Sequence, residues 1–191
     1  MRGLIDEYGP LSIDDILKRR PSEPYGALLR GIVGQQLSTK AAESIFGRLV
    51  AMFDGAGPTP RQLIDADPDA LRAAGLSRAK VAYLRDLAER VEDGELELDR
   101  LRELPDEEVS AQLTAVKGIG QWTADMFLMF NLGRPDVLPV GDLGIRNAMQ
   151  RLYELPAKPS SADLTRIAEP WRPYRSLASL YLWTALRNLP V

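Results

Sequence analysis

Apolar side chains recur at intervals of three and four along most of the chain, and no convincing run alternates with period two. That pattern predicts an all-α protein. Start and stop signals divide it into elements. Thr59, Pro60 and Gln62 fit a capping box with proline at the first helical position. Asp67 and Pro68 open a short helix that Gly75 closes, and Ser77 opens a longer one, LSRAKVAYLRDLAERVEDG, that stops near Gly94. Further helices are expected over 13–19, 24–34, 39–53, 106–116, 121–131, 143–154, 161–169 and 174–188. The joining turns are brief and rich in Gly and Pro, with no tandem repeat and no low-complexity linker. Any lobes must therefore pack closely.

The sharpest of these turns lies in LTAVKGIGQWTADMFL, residues 113–128, where Gly118 and Gly120 flank Ile119. Glycine permits positive φ and lets a backbone pass close to another chain. The helix from about Gln121 then points its N–H groups and positive dipole end out of the turn, a setting that binds phosphate oxygen. A plain helix–helix turn has the same spacing, so the glycines alone do not decide between the two.

Composition narrows the chemistry. At 191 residues the chain can bury a core of its own. The lack of cysteine excludes disulfides, thiolate zinc sites and ligated iron–sulfur clusters. The lack of histidine leaves proton transfer to a carboxylate, lysine, tyrosine or water. The longest nearly apolar run, Leu177 to Leu186, is too short to span a bilayer, and the N-terminus lacks a signal-peptide pattern. A cytoplasmic protein with no membrane partner is expected.

The formal charge of -3 argues against a nucleic-acid partner, but the distribution changes that picture. Arg85 to Glu108 carries eleven acidic and four basic side chains, a net -7, which leaves +4 on the rest. From Trp171 onward there are three arginines and no acid. Either the acidic stretch is an ordinary solvated face, or the molecule has an acidic back and a basic front toward phosphate.

Downstream of the hairpin comes VLPVGDLGIRNAMQRLY, residues 137–153, in which Asp142 precedes an amphipathic helix. Taken alone, Asp142 is a helix N-cap. The string L-x-x-V-K-G-I-G-x-W-T-A, however, resembles the helix-hairpin-helix motif of DNA-binding proteins. A hairpin followed about twenty residues later by a Gly/Pro-rich loop and an aspartate resembles the DNA glycosylase superfamily named for those features. Within it the sequence looks like the 3-methyladenine DNA glycosylase II family. The match rests on GIVGQQLSTKAA at 31–42, GIGQWTADMFLMF, LPVGDLGIRNA, and WRPYRSLASLYLW at 171–183, in that order. With only about thirty residues before the first of these, the chain looks like the minimal module, without the N-terminal β-rich domain of some members.

The resemblance implies an all-α, two-lobed helix-hairpin-helix glycosylase fold, with one lobe about 25–130, the other 1–24 plus 131–191, and an active cleft between them. It implies hydrolysis of the N-glycosidic bond of alkylated purines in double-stranded DNA by base flipping, as a monomer with no required cofactor, leaving an abasic site. Strand-cutting relatives carry their Schiff-base lysine two residues after the second glycine, where this chain has Trp122, so no lyase chemistry is expected. Asp142 takes the catalytic position. Trp122, Met126, Trp171, Leu143 and Gly144 take the base pocket, with core packing as the alternative for the aromatic residues. Gln36 or Leu37 takes the wedge position. Lys117, Gly118, Gly120, Thr123, Lys40, Arg78, Lys80 and Arg146 are candidate phosphate contacts, and Arg175 a candidate support for the Asp142 loop. The carbonyls of Thr114, Val116 and Ile119 are the candidate site of a structural Na+ or K+. Two other readings stay open: a glycosylase for another damaged or mismatched base, and a non-catalytic DNA-binding module. The last makes no demand on Asp142 or Trp171.

Overall fold

The capping residues Thr59, Asp67 and Ser77 do place the starts of their helices. In the computed structural model, which describes residues 1–12 and 23–188, the chain runs through α1 (Arg2–Tyr8), α2 (Pro24–Gly34), α3 (Thr39–Ala51), α4 (Pro60–Asp65), α5 (Pro68–Ala73), α6 (Arg78–Glu92), α7 (Asp106–Thr114), α8 (Gln121–Phe130), α9 (Leu143–Leu152), α10 (Ser161–Ala168) and α11 (Arg175–Asn188). Two short 3-10 turns, Leu98–Glu103 and Glu169–Trp171, complete the regular structure, and no strand occurs among the described residues. The helix expected over 13–19 lies outside them. No described helix is long and apolar enough to cross a membrane.

Thr59 and Gln62 exchange both bonds of the capping box. Asp67 and Ser77 cap α5 and α6, and Gly75 and Gly94 take positive φ where those helices end. The sequence pattern misses α1 and the 3-10 turn at Leu98–Glu103. Neither has a side-chain N-cap, and α1 is only seven residues long. Leu4 of α1 is buried by tertiary packing, and the Tyr181 hydroxyl ties the following segment, accepting from Leu11 N–H and donating to the Gly9 carbonyl.

The chain divides into two compact units, Pro21–Ala124 and Met1–Arg20 with Asp125–Val191. The division falls inside α8. In the first unit, Leu28, Leu29, Ile32, Leu49, Leu63, Leu71, Leu84, Leu87, Leu101 and Leu113 are fully buried. Each such side chain contributes roughly 1.5–3 kcal/mol over an exposed one, which is what fixes short helices that would be marginal alone. The second unit has its own core of Leu4, Ile145, Ala148, Met149, Leu164, Tyr181, Leu182 and Ala185. It is built mainly by α9 and α11, the two helices that frame the Asp142 site.

Candidate functional site

In the unit Pro21–Ala124, α7 ends at Thr114 and the chain turns back within six residues into α8. The Ile119 N–H donates to the Val116 carbonyl to close the turn, and the Gly120 carbonyl accepts the first N–H bonds of α8, from Thr123 and Ala124. Gly120 is thus the residue at the head of α8, and it has no side chain with which to cap it. Gly118 has φ +81°, and a Cβ there would run into the Tyr83 ring, so the ring lies against the backbone only because this residue is glycine. The carbonyls expected to hold a monovalent cation are neutral donors, which suits Na+ or K+. That of Val116 spends one lone pair on Ile119 N–H and keeps the other.

Lys117 is not a bare phosphate ligand. Its ammonium pairs with Asp86 Oδ1 at 2.9 Å, its backbone N–H donates to Asp86 Oδ2 at 2.9 Å, and Arg90 Nε donates to the same oxygen at 3.0 Å. Burial pushes the Asp86 carboxyl up, but the bonds from Lys117 and Arg90 outweigh it and hold the group below the ordinary carboxylate range. Asp86, counted in the acidic stretch, is therefore an interior anchor of the hairpin and not part of an acidic surface.

The segment between α2 and α3 forms a second turn in this unit. Gln36 is left-handed at φ 57°, and it and Leu37 are exposed, as a wedge requires. Lys80 corrects the sequence expectation. Its ammonium donates to the Val33 and Gln35 carbonyls, both at 2.8 Å, so it caps the C-terminal end of α2 instead of reaching for phosphate. Desolvation pulls its pKa down. Thr123 is largely buried, with its methyl group toward Gly31. Lys40 and Arg78 are exposed near this turn and at the head of α6. Trp122, 47% exposed despite its size, stands in the first turn of α8, with Met126 half-buried one turn later.

In the other unit Asp142 heads α9. Its Oδ1 accepts from the Ile145 N–H at 2.8 Å, the cap geometry, and also from the Trp183 indole N–H at 2.9 Å. Two donors from different elements therefore fix one carboxylate oxygen. Trp183 in turn lies against Phe130, ring centroids 5.9 Å apart. Gly144 allows this approach, since a Cβ there would stand 3.0 Å from Asp142 Oδ1 and 3.2 Å from the indole. Its place is accordingly behind the carboxylate; Leu143 beside it is 59% exposed.

Trp171 is elsewhere. It packs on the core of this unit and lies beside Tyr153, at the C-terminal end of α9. A ten-residue helix is about 15 Å long, so Trp171 does not share the Asp142 end. Trp183 takes that position. Arg146, a candidate phosphate contact, donates to the Pro159 carbonyl at 3.0 Å. Arg175 does support the loop before Asp142. It binds Asp136 through Nε at 2.6 Å and through a terminal nitrogen at 3.0 Å, and the neighbouring Ser176 hydroxyl accepts from Val137 N–H. Burial pushes the Asp136 carboxyl up, but the bonds from Arg175 and the charge of Arg172 outweigh it and hold the group below the ordinary carboxylate range.

Four contributors escape a reading along the chain: Trp183, Gln35, Tyr83 and Asp86. Only Trp183 left a signal, a large aromatic at the end of the stretch 171–183 that invited attention to Trp171 instead.

The arrangement has relatives. The family model for HhH-GPD superfamily base excision DNA repair protein matches residues 29–173. DNA-3-methyladenine glycosylase 1 of Schizosaccharomyces pombe is 39% identical over 163 residues, covering 84% of this chain and 72% of that protein. A putative DNA-3-methyladenine glycosylase of Bacillus subtilis is 31% identical over 199 residues, covering 97% and 69%. Among solved structures, the S. pombe 3-methyladenine DNA glycosylase in complex with abasic DNA superposes with a TM-score of 0.77 at 35% identity, covering 96% of this chain and 95% of that one. The Bacillus halodurans DNA-3-methyladenine glycosidase gives 0.79 at 43%, covering 87% and 76%. A capless, glycine-turned hairpin and a doubly held aspartate at the head of the helix after the Pro/Gly loop thus occur together in a chain that belongs to the HhH-GPD superfamily of base excision DNA repair proteins.

Proposed function

We propose that this protein is a monofunctional DNA glycosylase that hydrolyses the N-glycosidic bond of alkylated purines of the 3-methyladenine type and leaves an abasic site. The observation that carries the reading is the Asp142 carboxylate, fixed through Oδ1 by Ile145 N–H and Trp183 Nε1. As the bond to the base stretches, positive charge builds on the sugar, and a fixed carboxylate stabilises that oxocarbenium-like state. Asp142 also orients the attacking water and takes its proton. An N-alkylated purine is already cationic and departs without an acid, so a chain without histidine is sufficient. Trp122 and Met126 hold the extruded base, an electron-rich indole favouring a cationic ring by about 0.5–2 kcal/mol.

Gln36 or Leu37 fills the gap in the duplex, and Gly118, Gly120 and the head of α8 receive a phosphate, with Lys117 shared between that phosphate and Asp86. Lys40 and Arg78 are the remaining phosphate contacts. A Na+ or K+ on the Thr114, Val116 and Ile119 carbonyls would bridge the hairpin to phosphate. The enzyme acts as a monomer on double-stranded DNA, in the cytoplasm or at the nucleoid.

The test is base release from a methylated duplex in single turnover, wild type against Asp142→Asn, with duplex affinity recorded in parallel. Asparagine keeps an oxygen for both donors, so the fold and binding should persist while release falls about a hundredfold or more. No release by wild type from alkylated, deaminated or oxidised duplexes would leave only a DNA-binding module.

A further inference from the structure

Within the unit Pro21–Ala124 the wedge turn and the hairpin are 83 residues apart in sequence, yet one side chain joins them: Gln35 Nε2 donates to the Gly118 carbonyl at 2.7 Å. Each partner of that bond is itself fixed from behind by α6. Lys80 binds the Gln35 carbonyl, the Tyr83 ring covers Gly118, and Asp86 binds the N–H and the ammonium of Lys117. At about 100° per residue, positions 80, 83 and 86 fall within roughly a 120° arc of one helix. One helix face therefore supports both turns, and Gln35 is the side chain that crosses between them.

We infer that Gln35 is a positioning residue that transmits the hairpin's grip on the DNA backbone to the wedge, so that extruding the base and clamping phosphate are one event. Gln36 and Leu37 follow Gln35 directly, and the left-handed Gln36 makes their direction depend on the backbone before it. Pushing a wedge into stacked bases costs free energy, which must come from contacts made elsewhere on the duplex. With the side-chain tie removed, Lys80 still caps α2 and Asp86 still holds the hairpin. Duplex binding then persists but is no longer coupled to insertion. This inference rests on the glycosylase reading above.

The experiment compares wild type, Gln35→Met and Gln35→Glu on two methylated substrates, one with the lesion in a fully paired duplex and one with it already unpaired in a bulge. Extrusion is followed separately by the fluorescence of 2-aminopurine placed beside the lesion. Loss of one such bond should slow release from the paired duplex about tenfold for Met, and more for Glu, which repels the carbonyl. On the bulged lesion, where little extrusion is needed, the loss should shrink to below about threefold. Affinity for undamaged duplex and the thermal midpoint should stay near wild type. Equal loss on both substrates, or none on either, would overturn the inference. If the 2-aminopurine signal shows that wild type extrudes the lesion but no base is released, the glycosylase reading fails and the fluorescence difference still decides the role of Gln35. If wild type does neither, both fail.

Discussion

The two helix starts that carry the proposed chemistry are solved in opposite ways. α8 begins at Gly120, which brings no side-chain oxygen, so the positive end of the helix is not neutralised by its own cap. α9 begins at Asp142, whose carboxylate caps the helix and is held a second time by Trp183. The first head carries no anion of its own, as the proposed phosphate contact requires; the second uses the dipole to fix an anion of its own. A helix N-terminus is thus a binding device or an orienting device according to the single residue at its head.

The comparison breaks most severely at Gly118. Gly118→Ala forces a non-glycine residue to φ +81° and drives a Cβ into Tyr83, a combined cost of about 3 kcal/mol. Duplex affinity measured by anisotropy should fall about a hundredfold and the thermal midpoint should drop; unchanged affinity would remove the hairpin from the DNA contact. Trp183→Phe tests the other start. It keeps an aromatic face toward Phe130 but deletes one of the two donors on Asp142 Oδ1, so single-turnover release should slow about tenfold with duplex affinity unchanged. A loss of affinity in place of rate would show that the two starts are not separable.

The smallest effect concerns what fixes the hairpin. Asp86→Asn should cost on the order of 1 kcal/mol at neutral pH. Because the carboxyl is depressed in the folded state, its contribution is fully present above the ordinary value of 3.8 and is lost as pH falls through the lower folded value. The stability difference between wild type and Asp86→Asn should therefore be constant from pH 5 to 7 and close as the solution is acidified below about 4. A difference that widens on acidification would contradict the anchor.

Both helix starts were legible in the sequence: that of α9 because a cap is a hydrogen bond between residues two or three apart and leaves its mark in the order of residues, and that of α8 because two glycines mark the turn before it. Capping placed α4 through α6 for the same reason. The seven-residue α1, without a capping side chain, left no such mark and exists by burying Leu4. Lys80 and Trp171 show where reading along the chain goes astray. A basic or aromatic side chain advertises its chemistry, but not whether a pair of carbonyls or a neighbouring core has already engaged it.

The sequence by itself determined the helical class, the capped helix starts and the carboxylate at the head of α9, all consequences of bonding over one turn. The tertiary structure alone decided that Trp183 meets Asp142 across 41 residues, that Asp86 holds Lys117 across 31, and that Gln35 reaches Gly118 across 83. Helical periodicity says which face of each helix turns inward. It does not say which two faces pack together, and those pairings follow only once the buried leucines have set every helix in place.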